Sequence, residues 1–261
     1  IKVSITSKLG YIHYYLNDYI KSQKLLEESL ANLNEHASED QAKIAYVLMY
    51  LGDVYSELGN HGKAKDLCER SLTIYKQHFP NDHVGVARAL AYLGNVHRRL
   101  GEYTKARDLC EKSLEIYTNH FSGNPTKVAW ALAHLGITYK KLKDYEKAKD
   151  LLEESLATYK DNFSENHPRV AWVLAHLGHV HSKLGNYEKA KSLLDHSLTI
   201  YNNNFSENHV RVAWVTSLLA SVYKNLENYE KSKSLFERSI FLYEKNYGKN
   251  HIEIAYIVRS L

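Results

Sequence analysis

The sequence has few of the features that mark disulfide-rich, membrane or nucleic-acid-binding proteins. Only two of its 261 residues are cysteines, which is too few for a disulfide framework. No apolar run approaches the ~18 residues of a membrane-spanning helix. There is no long block of charge of one sign, and a net charge of +4 is too small to indicate nucleic-acid binding by itself.

Catalytic and cofactor signatures are also missing. The sequence contains no GxxxxGK[ST] phosphate loop, no nucleophile elbow and no HExxH zinc motif. Cys68 and Cys110 are 42 residues apart at equivalent positions on an apolar helical face. We therefore predict buried free thiols rather than nucleophiles. We expect neither an enzyme nor a protein with a bound cofactor.

Leucine recurs at one fixed interval along the whole sequence. The leucines spaced 42 residues apart are Leu9, Leu51, Leu93, Leu135, Leu177, Leu219 and Leu261. A fixed period of a few tens of residues is the signature of a solenoid or array. We predict a single array over residues 1–261, built of about six such units, and expect it to be truncated at both ends. The predicted first helices of the units span residues 1–16, 41–58, 84–100, 126–142, 168–184 and 210–226, and a seventh begins near 252.

Each unit carries the boundary residues of two helices joined by a short turn. In the unit at 167–208, Pro168 lies in the first turn of the first helix and Gly185 follows its end, which is the usual order. Asn166 or His167 is the predicted N-cap. Short turns force consecutive helices antiparallel, so each unit is predicted to be a helical hairpin. The predicted N-caps of the second helices are Asp18, Asn60, Asp144, Asn186 and Asn228.

Small residues mark the place where the two helices of a unit should touch. They let two backbones approach closely, and they recur 12 residues apart. The pairs are Gly52 with Ala64, Gly94 with Ala106, Gly136 with Ala148 and Gly178 with Ala190, loosened to Gly10 with Ser22 and Ala220 with Ser232 in the outer units. One hairpin cannot bury its apolar stripe alone, so neighbouring units are expected to stack.

Together these residues resemble the tetratricopeptide repeat, whose pattern is matched at Leu177, Gly178, His181, Tyr187 and Ala190. That repeat usually has ~34 residues. The longer unit here is similar to those of kinesin light chains and related bacterial proteins. The resemblance implies an all-α fold, a right-handed superhelical solenoid of tandem helix–turn–helix hairpins. It also implies that the first helices line a concave groove that receives peptides.

The first helices carry a second organised face, nearly opposite their apolar face. At ~100° per residue, Trp172, His176, His179 and Lys183 fall on this second face, and we call this row and its equivalents in the other first helices the stripe. All three tryptophans of the protein occupy one repeat position within it. Aromatic and arginine side chains dominate interface energetics, so we predict a peptide-binding groove. Its predicted residues are Tyr46, Tyr50, Arg88, Tyr92, Asn95, Arg99, Trp130, His134, Ile137, Lys141, Trp172, His176, His179, Lys183 and Trp214.

Two of these residue types have alternative interpretations. The tryptophans could pack laterally between adjacent first helices and never meet a ligand. His176 and His179 are three residues apart on one face, with His134 one unit earlier, as in some metal sites. A zinc site with histidines needs a further firm ligand and an ordering second shell. Neither is evident, and His181 points away from the others, so we predict no metal site.

The leading hypothesis is a protein–protein interaction scaffold or adaptor that binds a peptide segment in the groove. We expect a protein or peptide partner with acidic and apolar residues, because basic residues recur beside the aromatic ones. These basic residues are Arg88, Arg99, Lys141 and Lys183. The first alternative is the ligand-sensing repeat region of a larger regulatory switch protein. Nucleic-acid binding through Arg98, Arg99, Lys140 and Lys141 has weaker support, and self-association through uncapped end units is a further alternative.

The sequence departs from its relatives at positions that hold ligands there. Kinesin light chains tend to carry an asparagine pair where this sequence reads LAYLG (90–94) and LAHLG (174–178). Ala91, Ala133 and Ala175 stand where other family members have the lysine of a carboxylate clamp. These departures argue against motor-cargo binding. The 21 tyrosines, with many lysines and asparagines, suggest an AT-rich genome. We expect a cytoplasmic protein without membrane contact, or one delivered to a host cytosol if its source is an intracellular bacterium.

Overall fold

The computed structural model describes residues 2–34, 41–121, 123–249 and 252–259, and these residues form helices and connecting turns without strands. Ile1 and Leu261, which belong to the predicted first helix and the leucine series, lie outside the described residues. The helices are α1 (Lys2–Tyr15), α2 (Tyr19–Asn34), α3 (Gln41–Glu57), α4 (His61–His78), α5 (Val84–Arg99), α6 (Tyr103–His120), α7 (Pro125–Lys141), α8 (Tyr145–Asn162), α9 (Pro168–Lys183), α10 (Tyr187–Asn204), α11 (Val210–Asn225), α12 (Tyr229–Tyr247) and α13 (Ile252–Val258).

Consecutive helices pack as tandem hairpins within two compact units. Unit 1 covers residues 1–142, with α1 to α7, and unit 2 covers residues 143–261, with α8 to α13. The pairs α1–α2, α3–α4 and α5–α6 form the hairpins of unit 1, and α9–α10 and α11–α12 those of unit 2. Each first helix also packs on the second helix of the hairpin before it, as α5 does on α4 and α11 on α10. None of the described helices has the length and apolar character needed to cross a membrane.

The turn within a hairpin needs one residue in the left-handed region. Gly185 has φ 81°, and the Asn186 amide donates back to the His181 carbonyl at 2.9 Å. This arrangement ends α9 and lets α10 begin two residues later. Gly59 and Gly101 occupy the same position, and Asn17, Lys143 and Glu227 fill it with positive φ in the remaining turns.

Polar caps begin most of the second helices. The Asn60 side chain accepts from the Lys63 amide at 3.2 Å, and Asp18, Asp144 and Asn228 cap in the same way. Asn186 is the N-cap of α10, as predicted, but its side chain makes no cap hydrogen bond. Its amide nitrogen lies 3.5 Å from His181 Nδ1 instead. Of the two candidates for the start of α9, His167 is the N-cap, and its Nδ1 accepts from the Arg169 amide at 3.1 Å.

The close approach predicted inside the hairpins is confirmed. A Cβ added to Gly52 would lie 2.5 Å from Cys68 Sγ and 3.1 Å from the Ala64 carbonyl oxygen, and at Gly94 and Gly178 the nearest atoms would lie at 2.8 Å. Cys68 and Cys110 are buried free thiols, as predicted. On four of the second helices, a buried serine adds a hydrogen bond to a first-helix carbonyl. These bonds run from Ser71 to Ala45, Ser113 to Ala87, Ser197 to Ala171 and Ser239 to Ala213, at 2.6–2.8 Å.

Candidate binding face of the first helices

In unit 1, aromatic rings form a row across neighbouring first helices. The Tyr50 ring lies 5.5 Å from that of Tyr92, and the Tyr92 ring lies 5.4 Å from that of Trp130. Tyr11 of α1 extends the row, with its ring 5.0 Å from Tyr46. These are ordinary separations for interacting aromatic pairs. The row therefore joins α1, α3, α5 and α7 side by side.

In unit 2, a histidine joins two tryptophans. The His176 ring lies 5.2 Å from Trp172 on its own helix and 4.8 Å from Trp214 on α11. All three side chains are half-buried. His176 thus takes part in an aromatic contact between first helices. The described residues contain no group of three His, Cys, Asp or Glu side chains that could hold a metal ion.

The predicted site residues differ in how far they reach the surface. Tyr50, Tyr92, Asn95 and Ile137 are buried; Tyr46, Arg88, Arg99, Trp130, His134, Trp172, His176, His179 and Trp214 are half-buried; and Lys141 and Lys183 are exposed. The buried residues form the floor of the stripe and the others its surface. Trp130 and Trp214 make lateral contacts of the kind that the alternative interpretation expects, with Tyr92 and His176, yet all three tryptophans keep part of their surface in solvent.

A buried carboxylate links three first helices of unit 1. Asp53 is 4% exposed, and it accepts hydrogen bonds from the Tyr14 hydroxyl at 2.5 Å and from Asn95 Nδ2 at 2.8 Å. Burial raises the pKa of Asp53 to about 6, and the nearby Glu57 carboxylate adds to the rise. Because a buried charge is costly unless it is well paired, these hydrogen bonds fix how α1, α3 and α5 meet.

Both arginines of the set considered for nucleic-acid binding contact other side chains. Arg99 forms an ion pair with Glu57, and Arg98 donates to the Asn95 side-chain oxygen. Lys140 is only 8% exposed. These contacts leave little of the basic set that would serve a nucleic-acid backbone, which needs accessible cations.

Arg88 lies in a different environment, among aromatic side chains. It is half-buried, and its guanidinium carbon lies 5.3 Å from the Tyr46 ring centroid. Burial raises the pKa of the Tyr117 hydroxyl, while Arg88 opposes the rise through its charge and a side-chain hydrogen bond. Lys127, in the first turn of α7, lies with its Nζ 5.4 Å from the Phe121 ring. Burial and the Arg88 charge lower the pKa of Lys127.

Four residues of this face were not predicted: Tyr11, Tyr14, Tyr117 and Lys127. Tyr11 stands one 42-residue period before Asp53, so extending the stripe back to the first unit would have found it. Tyr14, Tyr117 and Lys127 occupy repeat positions outside the stripe. Their closeness to it depends on helix packing, which repeat position alone does not reveal. A usable signal for the ion pair was present, since Glu57 and Arg99 are opposite charges at one repeat position.

The tetratricopeptide repeat family model matches residues 3–77, 85–161, 128–203 and 169–245. The chain belongs to the tetratricopeptide repeat family. A search of curated proteins found no match.

Solved structures show the same fold at low sequence identity. Nearly identical TPR-like repeats of a putative kinesin light chain from Podosopora anserina are 18% identical with TM-score 0.60, covering 79% of this chain and 97% of that one. A Rap protein complexed with competence and sporulation factor is 15% identical with TM-score 0.72, covering 98% and 72%. A signal transduction ATPase with numerous domains and a tetratricopeptide repeat sensor, from Pyrococcus horikoshii, is 21% identical with TM-score 0.61, covering 97% and 38%.

Proposed function

We propose that this chain is a scaffold or adaptor that binds a peptide segment of a partner protein along the stripe of first helices. The observation that carries the proposal is the partial exposure of the tryptophan row. By contrast, the tyrosines that point into the core from the second helices are fully covered, as Tyr159 and Tyr201 are at 0% and 2% exposure. Trp130, Trp172 and Trp214 sit on first helices and remain half-buried.

The chemistry of the stripe favours a partner segment with apolar and acidic side chains. Tryptophan edges offer apolar contact area at low conformational cost. Lys183 is exposed at the C-terminal end of α9, the helix that carries Trp172, and Lys141 is exposed at the equivalent position of α7. A scaffold of this kind needs no catalytic chemistry of its own. We place it in the cytoplasm, because free cysteines suit a reducing compartment.

A random peptide library displayed against the purified chain tests this proposal. We expect the recovered peptides to bind the parent chain, and Trp172→Ala to weaken binding at least about tenfold, as loss of an interface anchor does. Tyr229→Ala is the matched control, because Tyr229 is 63% exposed on α12 and lies outside the stripe. Equal losses in both variants, or no loss in either, would reject the stripe as the binding face.

A second role is favoured by one neighbour, whose repeats are described as a sensor within a signal transduction ATPase. In that role the stripe would bind a ligand, and this binding would regulate a larger switch protein. The full-length protein would then contain a nucleotide-binding domain, and its ATP hydrolysis would respond to a stripe-binding peptide. Loss of this response in Trp172→Ala, with basal hydrolysis retained, would support the sensor role over a simple scaffold.

A further inference from the structure

We propose that a cavity beside His181 in unit 2 binds a phenol group, which is either a tyrosine side chain of a partner protein or a small free phenol. The phenol oxygen accepts a hydrogen bond from His181 Nε2 and donates one to the Glu153 carboxylate. This site is separate from the stripe, because His181 stands nine residues after Trp172 and therefore points to the opposite side of α9. The inference does not depend on the proposed function.

The cavity combines charged, polar and apolar groups within unit 2. It has a volume of about 720 Å³, which lies in the ordinary range for a small-molecule site. Glu153 of α8 and Lys189 of α10 line it with opposite charges, and Tyr187 and Leu226 add apolar surface. His181 contributes a side chain that is only 7% exposed. An aromatic ring with a polar group at one end matches this mixture.

His181 brings an unpartnered hydrogen-bonding atom to the cavity. Its Nε2 is buried and has no hydrogen-bond partner among the described residues. Its Nδ1 lies 3.5 Å from Asn186 Nδ2, and since an amide nitrogen only donates, the imidazole proton lies on Nε2. Burial lowers the pKa of His181, which favours this neutral form. A buried donor without an acceptor is costly, so an acceptor that reaches Nε2 from the cavity would bind there.

Other repeats show how the equivalent residues hold a phenol. The Tyr55 hydroxyl donates to the Glu27 carboxylate and accepts from the Lys63 ammonium group. Lys63 Nζ also lies 4.1 Å from the centroid of the Tyr55 ring, which is a cation–π contact. In the same way, the Tyr139 hydroxyl donates to Glu111 at 2.7 Å. The residues of the cavity at the positions of Tyr55, Glu27 and Lys63 are His181, Glu153 and Lys189. The cavity therefore keeps the two charged groups that bind a phenol hydroxyl elsewhere in the chain, without the tyrosine.

The repeat that contains His97 satisfies its histidine within the chain. His97 Nδ1 lies 2.9 Å from the Glu102 carboxylate, which also accepts from the lysine of that repeat at 2.8 Å. At the cavity, neutral Asn186 stands in place of Glu102. Among the described residues, neither the Lys189 ammonium group nor the Glu153 carboxylate has an ion pair or a side-chain hydrogen bond. Both groups are therefore available to a ligand.

Titration of p-cresol into the purified chain, followed by NMR, tests the site. We expect saturable shifts of the Asn186 side-chain amide and the Lys189 backbone amide. Toluene lacks the hydroxyl and should bind at least about tenfold more weakly, because it forgoes a hydrogen bond to a charged group. N-acetyltyrosinamide is the second probe. Tighter binding of N-acetyltyrosinamide than of p-cresol identifies the ligand as a tyrosine side chain, and the reverse order identifies it as a small free phenol.

Substitutions then locate the site. His181→Tyr installs the residue found at positions 55 and 139, so it should fold, place its own hydroxyl near Glu153 and abolish p-cresol binding. Glu153→Gln should weaken binding about tenfold, the loss expected for a hydrogen bond to a charged group. Glu154→Gln is the matched control, because Glu154 is an exposed carboxylate of α8 outside the cavity, and it should leave binding unchanged.

Three results would each overturn the phenol site. They are equal affinities for toluene and p-cresol, no saturable shift up to the solubility limit of p-cresol, and undiminished binding in both His181→Tyr and Glu153→Gln. Peptides that bind the stripe should bind His181→Tyr as well as the parent chain. The phenol site and the scaffold role can therefore fail separately.

Discussion

At the scale of residues, side chains 42 positions apart meet across neighbouring first helices. Asp53 accepts from Asn95, Glu57 pairs with Arg99, and Tyr50 contacts Tyr92. The repeat therefore does more than set the fold, because residues at these three positions also contact their own copies in the next repeat. A substitution there changes the packing between units as well as the surface that a ligand meets.

Asp53 gives a prediction for the pH dependence of stability. Its folded-state pKa of about 6 lies above the ordinary value of 3.8. A carboxyl with a raised pKa favours the folded state while it is protonated, so this contribution is present below pH ~4 and is lost as pH rises through ~6. Raising the pH from 4 to 7 should therefore lower the free energy of unfolding of the parent more than that of Asp53→Asn. The difference should be on the order of 2 kcal/mol.

Urea denaturation of parent and variant at the two pH values measures this difference. Asp66→Asn, which changes an exposed carboxylate on α4, is the control and should show no comparable difference. If Asp53→Asn shifts the free energy of unfolding by the same amount at both pH values, Asp53 is not held in an environment that disfavours its charge.

At the scale of elements, the hairpins could be predicted because local signals agree. Glycine at the turn, a polar cap directly after it and small residues 12 apart, such as Gly52 and Ala64, all specify the same two helices. The charge pattern of the stripe could not be predicted in the same way. Whether Arg99 faces solvent depends on Glu57 of the neighbouring helix, and whether Arg88 is paired depends on α6 and α7. The Glu57–Arg99 pair could have been recognised from opposite charges at one repeat position, but the surroundings of Arg88 come from the packing of several helices and leave no local pattern.

Two glycines of one hairpin should respond in opposite directions to alanine. Gly52→Ala places a Cβ 2.5 Å from Cys68 Sγ and 3.1 Å from a backbone oxygen, and such overpacking costs about 1–3 kcal/mol. Gly62→Ala, near the start of α4, meets nothing within 4 Å and should gain up to about 1 kcal/mol from helix propensity. Free energies of unfolding from urea titrations check both, and a stabilised Gly52→Ala would disprove the tight contact between α3 and α4.

At the scale of the whole molecule, the two units present different chemistry on one repeat pattern. Unit 1 combines tyrosines with Arg88 and the Asp53 network, and unit 2 combines Trp172, His176 and Trp214. The repeat period predicts that such a stripe exists in every repeat, but it does not predict which residues form it.

The first helix of unit 1 also carries exposed apolar side chains. Ile5 is 54% exposed and Ile12 53%, whereas their equivalents in α3, Val47 and Val54, are buried at 1% and 0%. Because such surface favours association, we expect the isolated chain to self-associate as its concentration rises. Ile12→Glu should reduce this association in sedimentation equilibrium, and Gln77→Glu, which adds the same charge at an exposed position of α4, should not. Association unaffected by Ile12→Glu would exclude this face.

The most direct test of the central claim, that the first-helix stripe receives a peptide, is acrylamide quenching of the three tryptophans. The half-buried positions of Trp130, Trp172 and Trp214 predict partial quenching in the free chain and clear protection when a library-derived peptide is bound. Tryptophans that resist quenching in the free chain and do not respond to a peptide that binds would contradict the account. The aromatic row would then serve only the packing of one helix on the next.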